Sequence, residues 1–309
     1  MSLEQAGSRE AGAGGQARWL QGFIDQHQLD GAYLDSARIW FMPLVHSLYL
    51  HQNEAKRPIL VAVNGSQGSG KTTLCDYLVA ALQAEHGLRA LALSLDDFYL
   101  GARERQALAA EVHPLFATRG VPGTHDMHLL EATLDGLLAG GGGNGTVRVP
   151  RFDKAVDDRR PHSQWDDIVG SVDVVLLEGW CMGALAQPPS ELDRPVNTLE
   201  AEEDPTGAWR SHVNGVLERD FPALYQRVDL WLMLQAPSFD CVFRWRLEQE
   251  QKLAARVAAD SAGVMSEEQI ARFIMYYQRI TEHCLARLPG RVDHLYCLDE
   301  QRRVIAHHT

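Results

Sequence analysis

No stretch of this sequence approaches the ~18 consecutive apolar residues that a membrane-spanning helix requires. The run from Met1 to Gln16 is polar and glycine-rich, without an apolar signal segment. There is no long basic run, and the formal net charge is -12. That balance argues against non-specific nucleic-acid binding and against anchoring on an anionic membrane, although it permits a local anion site. Cysteine is scarce. Cys75, Cys181, Cys241, Cys284 and Cys297 are scattered, odd in number and free of any C-x-x-C pair. They read as reduced core residues of a cytosolic protein. There is no internal repeat. The expectation is a soluble, cytoplasmic protein, and its 45% hydrophobic content over 309 residues is enough for a substantial core.

The most informative stretch is Gly65-Ser66-Gln67-Gly68-Ser69-Gly70-Lys71-Thr72, with Thr73 behind it. It fits G-x-x-x-x-G-K-[ST], the phosphate-binding P-loop. An apolar run, Ile59 to Val63, precedes it and reads as a buried parallel strand. Leu74, Leu78 and Leu82 follow at helical spacing. In such a turn the backbone N–H groups close around phosphate oxygens at a helix N-terminus. Lys71 would reach the outer phosphates of ATP, and the Thr72 hydroxyl would ligate Mg²⁺.

Before the P-loop, Trp19, Leu20, Phe23 and Ile24 mark one helix face, and Ile39 to Leu50 suggests a second helix. After it, the pattern predicts strands at Arg89–Leu95, Val147–Pro150, Val172–Leu177, Val228–Leu234 and His294–Leu298. Helices are predicted at Ala102–Val112, Met127–Leu138, Gly207–Leu217 and Phe239–Ala259, and from the capping-box start at Ser266 to Leu288. Either Thr124 or Asp126 could cap the helix at Met127. Gly140 to Gly145 reads as a flexible linker, Gln187 to Pro205 as a surface insertion, and the residues after Leu298 as a polar tail. Strands alternating with helices mean a mainly parallel sheet covered on both faces.

In such sheets, ligands gather at the carboxyl ends of strands. Asp96 ends one strand, and if that strand adjoins the P-loop strand its carboxylate faces the γ-phosphate. It is a candidate general base, with Mg²⁺ ligation as its rival role. Glu178 ends another strand, where a metal-side acid sits. Arg244 and Arg246 lie on the helix after the fourth core strand and could close over the transferring group as a lid. Arg119, His125, Asp126, Asp153, Lys154 and Arg159 lie in loops. Their cations suit a small anionic acceptor.

Six runs together resemble glycerate 3-kinase and its close kinase-like relatives. They are the P-loop, Ser94-Leu95-Asp96-Asp97-Phe98-Tyr99, the run from Arg119 to Asp126, Phe152-Asp153-Lys154, Glu178-Gly179-Trp180 and the run from Trp245 to Glu250. The wider group includes uridine kinase, phosphoribulokinase and bacterial pantothenate kinase. The resemblance implies an α/β P-loop NTPase fold with a mainly parallel sheet, helices on both faces, a helical lid and a helical N-terminal extension. It implies a catalytic role for Asp96, an acceptor side built on Arg119 to Asp126, and a lid bearing Arg246. It further implies ATP and Mg²⁺ as cofactors and a carboxylated small-molecule acceptor, most simply D-glycerate. Pantothenate, a nucleoside or a sugar is the alternative acceptor, and a non-catalytic nucleotide-binding regulator the alternative class. Two departures stand out. The loop after Lys154 is short and reads Ala155-Val156-Asp157-Asp158-Arg159 where a longer, glycine-containing segment is expected, and Gln187 to Pro205 has no counterpart. The expected division is a disordered segment over residues 1–18, a helical extension over 19–57, and a kinase domain over 58–309 with its lid at about 238–260. A homo-oligomer is compatible with all of this.

Overall fold

Every residue of β1 (Ile59–Gly65) is buried, as are all six of β7 (Val174–Gly179). Continuous apolar runs of this kind are what a parallel sheet covered on both faces selects. The computed structural model describes residues 19–29, 31–139, 145–254 and 265–309. The expected disorder over 1–18, most of the Gly140–Gly145 linker and the end of the expected lid helix lie outside these residues.

The described residues begin with α1 (residues 19–27), α2 (Gly31–Ser36), a π-helical turn (Ala37–Phe41) and α3 (Met42–Ala55). The second expected helix is therefore part of one helical run from Gly31 to Ala55. After β1 and the P-loop come α4 (Lys71–His86), β2 (Ala90–Ser94) and a 3₁₀ turn at Leu95–Phe98. Gly87 closes α4 in the left-handed conformation, φ 67°. Then follow α5 (Ala102–Glu111), α6 (Met127–Leu138), β3 (Thr146–Val149), β4 (Phe152–Asp153), β5 (Asp158–Arg159), β6 (Asp166–Val169) and β7. The C-terminal half holds α7 (Pro189–Leu192), α8 (Thr198–Glu203), α9 (Ala208–Arg219), α10 (Phe221–Tyr225), β8 (Leu230–Gln235), α11 (Phe239–Ala254), α12 (Glu267–Arg287), β9 (His294–Leu298) and β10 (Val304–His308). The capping box expected at Ser266 is present, with Gln269 as its reciprocal partner. Asp126, rather than Thr124, caps α6 by accepting from Leu129 N at 3.0 Å.

The main sheet runs β10-β9-β8-β1-β7-β2, parallel except for β10. One apolar cluster joins α1 to α4 to one face, through Phe23, Phe41, Leu44, Leu48, Leu74 and Leu78. The other joins α6, α9, α10 and α12 to the opposite face. No helix among the described residues is long and apolar enough to cross a membrane.

Three expectations need correction. The Asp96 strand is not beside the P-loop strand, because β7 lies between them, with Glu178 level with Val63 on one side and Ser94 on the other. The strand expected at Val147–Pro150 does form, as β3, and its partner is β6 in a separate ribbon. The segment from Gln187 to Pro205 is not a surface insertion. Leu199, Glu200 and Asp204 are buried in it, and Glu200 takes hydrogen bonds of 2.8 and 2.6 Å from Arg279 of α12. The tail after Leu298 is not free polar chain: a turn leads into β10, which pairs antiparallel with β9, and His307 stacks on Tyr296 with ring centroids 4.4 Å apart.

Candidate functional site

The P-loop bridges the end of β1 and the start of α4. Gly68 and Gly70 hold φ of 77° and 89°, a region where glycine carries no steric cost. A Cβ on Gly68 would fall 2.7 Å from Cβ of Trp245, so α11 packs directly on the loop. The Ser66 and Ser69 hydroxyls are buried without a hydrogen-bond partner among the described residues. Buried polar groups are normally paired. Orphaned donors in a glycine turn at a helix N-terminus fit phosphate oxygens.

A cleft of about 320 Å³ opens beside this loop. Gln67, Gly68, Lys71 and Thr72 line one side, and Asp96, Tyr99, Arg119 and Lys154 face it. Glu178 and Trp180 lie at the end of β7, while Arg246, Gln249, Phe273 and Tyr277 enter from α11 and α12. Thr72 Oγ1 donates to Glu178 Oε1 at 3.1 Å, and Lys71 Nζ stands 3.6 Å from Glu178 Oε2. That Oε2 is buried and makes no hydrogen bond among the described residues. A hydroxyl beside an under-used carboxylate oxygen is a donor set suited to Mg²⁺, directly or through water.

Asp96 reaches the cleft from the 3₁₀ turn beyond β2, which carries it past the intervening strand. Its Oδ2 accepts from Lys154 Nζ at 2.5 Å and its Oδ1 from Tyr99 Oη at 2.8 Å. Burial pushes its carboxyl up, but Lys154, Lys71 and the two hydrogen bonds outweigh this and hold it at about 2. Burial and the nearby Asp96 charge push the Tyr99 phenol well above its ordinary value, which keeps it a donor. The neighbouring Asp97 instead anchors β4, accepting from Phe152 N at 3.0 Å and Arg151 Nη1 at 2.6 Å.

The run from Arg119 to Asp126 divides its tasks. Arg119 lines the cleft. Gly120 passes so close to Tyr277 that a Cβ would meet its ring, and its carbonyl accepts from Trp180 Nε1 at 3.0 Å. Thr124 Oγ1 ties the loop to itself through Gly120 N and the Val121 carbonyl. His125 is only 6% exposed, lies against Tyr99 with centroids 4.6 Å apart, and does not line the cleft. Burial lowers its pKa to about 4 against an opposing pull from Asp96, so it is neutral.

Asp126, Asp153, Arg159 and Arg244 also fall outside the cleft lining. Arg159 donates to the Tyr99 carbonyl at 2.9 Å and to Asp126 at 3.1 Å, which ties these loops together. Asp153 accepts from Ala155 N at 3.0 Å and pairs with Arg160. Arg244 is exposed and pairs with Glu300 at 3.0 Å. Arg246 does enter the cleft, held by Glu250 at 2.7 Å with its guanidinium 5.8 Å from the Phe273 ring centroid.

Each cation lining the cleft thus has an acidic partner: Lys71 with Glu178, Lys154 with Asp96, Arg119 with Asp157 and Arg246 with Glu250. The sequence reading missed Tyr99, Asp157, Glu250, Phe273 and Tyr277 as parts of the site. Tyr99 stood inside a quoted motif. Phe273 and Tyr277 carry only an i,i+4 spacing, which a core helix shows equally.

No family model matches the chain. It is 31% identical over 270 residues to the protein named Uncharacterized kinase mug58 of Schizosaccharomyces pombe, across 82% of this chain and 92% of that one. It is 30% identical over 243 residues to the chloroplastic D-glycerate 3-kinase of Arabidopsis thaliana, across 75% of this chain and 49% of the plant protein. The alignment thus spans about half the length of the plant protein. The solved D-glycerate 3-kinase of Cryptococcus neoformans var. grubii superposes with a TM-score of 0.72 at 24% identity, covering 87% of this chain and 98% of that one. That likeness speaks for the fold. With the P-loop, the parallel sheet and these relatives in hand, the chain belongs to the glycerate-kinase-like family of P-loop kinases, ATP-dependent phosphotransferases that act on a hydroxyl acceptor.

Proposed function

We propose that this kinase phosphorylates a hydroxyl of a small carboxylated acceptor, D-glycerate. The observation that carries the reading is the meeting, in one cleft, of the P-loop Lys71 and Thr72 with Asp96 and Arg119. The name of the plant relative supports the choice of D-glycerate.

In this reading Lys71 and Arg246 offset charge on the phosphates as it shifts toward the leaving oxygen. Thr72 and, through water, Glu178 would hold Mg²⁺, which would supply positive charge against the phosphates. Asp96 orients the acceptor hydroxyl and takes its proton as the new O–P bond forms and the bond to the ADP oxygen breaks. A carboxyl held near 2 is a weak base. That suffices in a loose transition state, where the hydroxyl loses its proton late and positioning dominates. Lys154 exchanges its bond to Asp96 for the incoming group, and Arg119 grips the carboxylate.

One observation favours a second reading. Tyr99, Trp180, Phe273 and Tyr277 all line the cleft. Such faces could stack a nucleobase. Turnover of purified protein with ATP and D-glycerate, pantothenate, uridine or ribulose 5-phosphate in turn tests both. Preferred turnover of D-glycerate is expected. Turnover of uridine without turnover of D-glycerate would transfer the assignment to the second reading.

A further inference from the structure

The turn between β4 and β5 carries Lys154 at its start and Asp157 at its end. Asp157 has φ of 55°, a left-handed conformation that is uncommon for a residue with a side chain. A non-glycine residue kept there suggests that its side chain has a task. Its carboxylate is shared between two guanidinium groups. Oδ2 accepts from Arg105 Nη2 at 2.6 Å, and Oδ1 accepts from Arg119 Nη1. The Asp157 carbonyl also accepts from Arg105 Nη2 at 2.9 Å.

The two arginines differ in kind. Arg105 is 1% exposed and also donates to the Leu100 carbonyl at 2.6 Å and the Ala117 carbonyl at 3.4 Å. It is a fixed post inside the protein. Arg119 borders the cleft, with its guanidinium 5.4 Å from the centroid of the Phe152 ring. Asp157 is the one side chain recorded as accepting from Arg119 among the described residues. A guanidinium has five N–H donors in a planar fork. With one edge fixed by Asp157 and one face laid on Phe152, the remaining donors are left for a ligand in the cleft.

We infer that Asp157 is a positioning residue for acceptor specificity: it transmits the rigidity of Arg105 to Arg119 and aims the free edge of that arginine at the acceptor's anionic group. This rests on the reading of the acceptor as carboxylated. Pre-aiming a planar fork reduces the side-chain ordering that binding would otherwise require. An arginine left to wander would bind the same carboxylate more weakly and discriminate less.

The test uses the full chain with ATP and each acceptor of the panel, on the wild type, Asp157→Ala, Asp157→Gly and Asp157→Glu, and on Arg119→Ala alone and combined with Asp157→Ala. Asp157→Gly removes the carboxylate while relieving the left-handed backbone, and its unfolding free energy, measured beside that of the wild type, separates loss of the partner of buried Arg105 from loss of aim at Arg119. Asp157→Ala and Asp157→Gly should both raise KM for the anionic acceptor about tenfold or more, with KM for ATP changed less than about twofold. Asp157→Glu should restore part of the loss. In the Arg119→Ala background, Asp157→Ala should add little, because the two residues act as one unit. An acceptor KM unchanged in Asp157→Gly, or lowered because Asp157 competes with the acceptor, overturns the inference.

If the wild type turns over only a neutral acceptor, the carboxylate reading falls on that result alone. Whether Asp157 holds Arg119 in place is then decided by structure. A crystal structure of Asp157→Gly decides without any turnover. Arg119 displaced from Phe152 is expected, and Arg119 still seated there overturns the inference.

Discussion

Lys154 Nζ lies 2.5 Å from Asp96 Oδ2, so the candidate base and a candidate acceptor-binding cation are joined to each other. The pairing predicts a pH profile. With its pKa at about 2, Asp96 remains a carboxylate through the ordinary acidic range, and the acid limb of kcat/KM should not fall near 4 on its account. Lys154→Ala removes a favourable charge while burial still pushes upward, so the Asp96 pKa must rise. The acid limb of the variant should move to higher pH. Coincident wild-type and variant limbs would exclude Asp96 as the titrating group that Lys154 controls.

Asp96→Asn should retain ATP binding while transfer falls by roughly 10²–10⁴-fold, the usual scale of general base catalysis. Binding is measured by nucleotide titration and transfer by single-turnover kinetics. Collapse of Mg²⁺-dependent ATP binding would instead make Asp96 a metal ligand.

Lys71→Ala should lose ATP affinity and transfer together, because an outer-phosphate contact acts on ground and transition states alike. The charge of Glu178 would also be left facing the phosphates without its cation. ATP affinity and turnover both near wild type would remove the P-loop lysine from the mechanism.

Arg246→Ala should lower kcat more than it weakens ATP binding, since a lid cation works best on developing charge. Glu250 is 2% exposed, holds Arg246 and also accepts from Met265 N at 2.8 Å, just ahead of α12. Glu250→Gln should therefore lower kcat in the same direction by a smaller factor. A lowered kcat in neither variant would return this helix to a structural role.

His125 yields a stability prediction. Its pKa is lowered from 6.5 to about 4, so the unfolded chain binds a proton in that window and the folded chain does not. Stability attributable to His125 is full above about 6.5 and falls as the pH drops toward 4, by up to about 3 kcal/mol from the pKa difference. His125→Phe keeps a ring against Tyr99 and cannot titrate. Its unfolding free energy should vary less than that of the wild type between pH 4 and 6.5, and equal slopes in urea titrations would contradict this.

The parts legible in the sequence were those whose signal is local. The P-loop, the caps at Gly87 and Ser266 and the buried strands each follow from a few adjacent residues. Strand order was not legible, because β2 and β7 carry similar apolar runs and only packing decides which lies beside β1. The segment from Gln187 to Pro205 looked exposed because of its prolines and acids, yet Glu200 becomes buried once Arg279, 79 residues later, satisfies it. Of the eight residues from Arg119 to Asp126, Arg119 is the one that borders the cleft, while the rest shape it. A motif locates a site more reliably than it apportions roles within it.

The pairing of every cleft-lining cation with an acid makes the resting site an ion exchanger rather than an electropositive hole. Four cleft cations each face an acid, one of which, Asp157, is shared with the buried Arg105, and the whole chain carries -12. The mouth therefore offers little long-range pull on an anion, and encounter is governed by diffusion and fit more than by steering. At these four cations a stray inorganic anion would have to displace a carboxylate, whereas the Ser66 and Ser69 hydroxyls of the P-loop hold no such competitor. A substrate presenting several anionic groups in the right places can make those exchanges together.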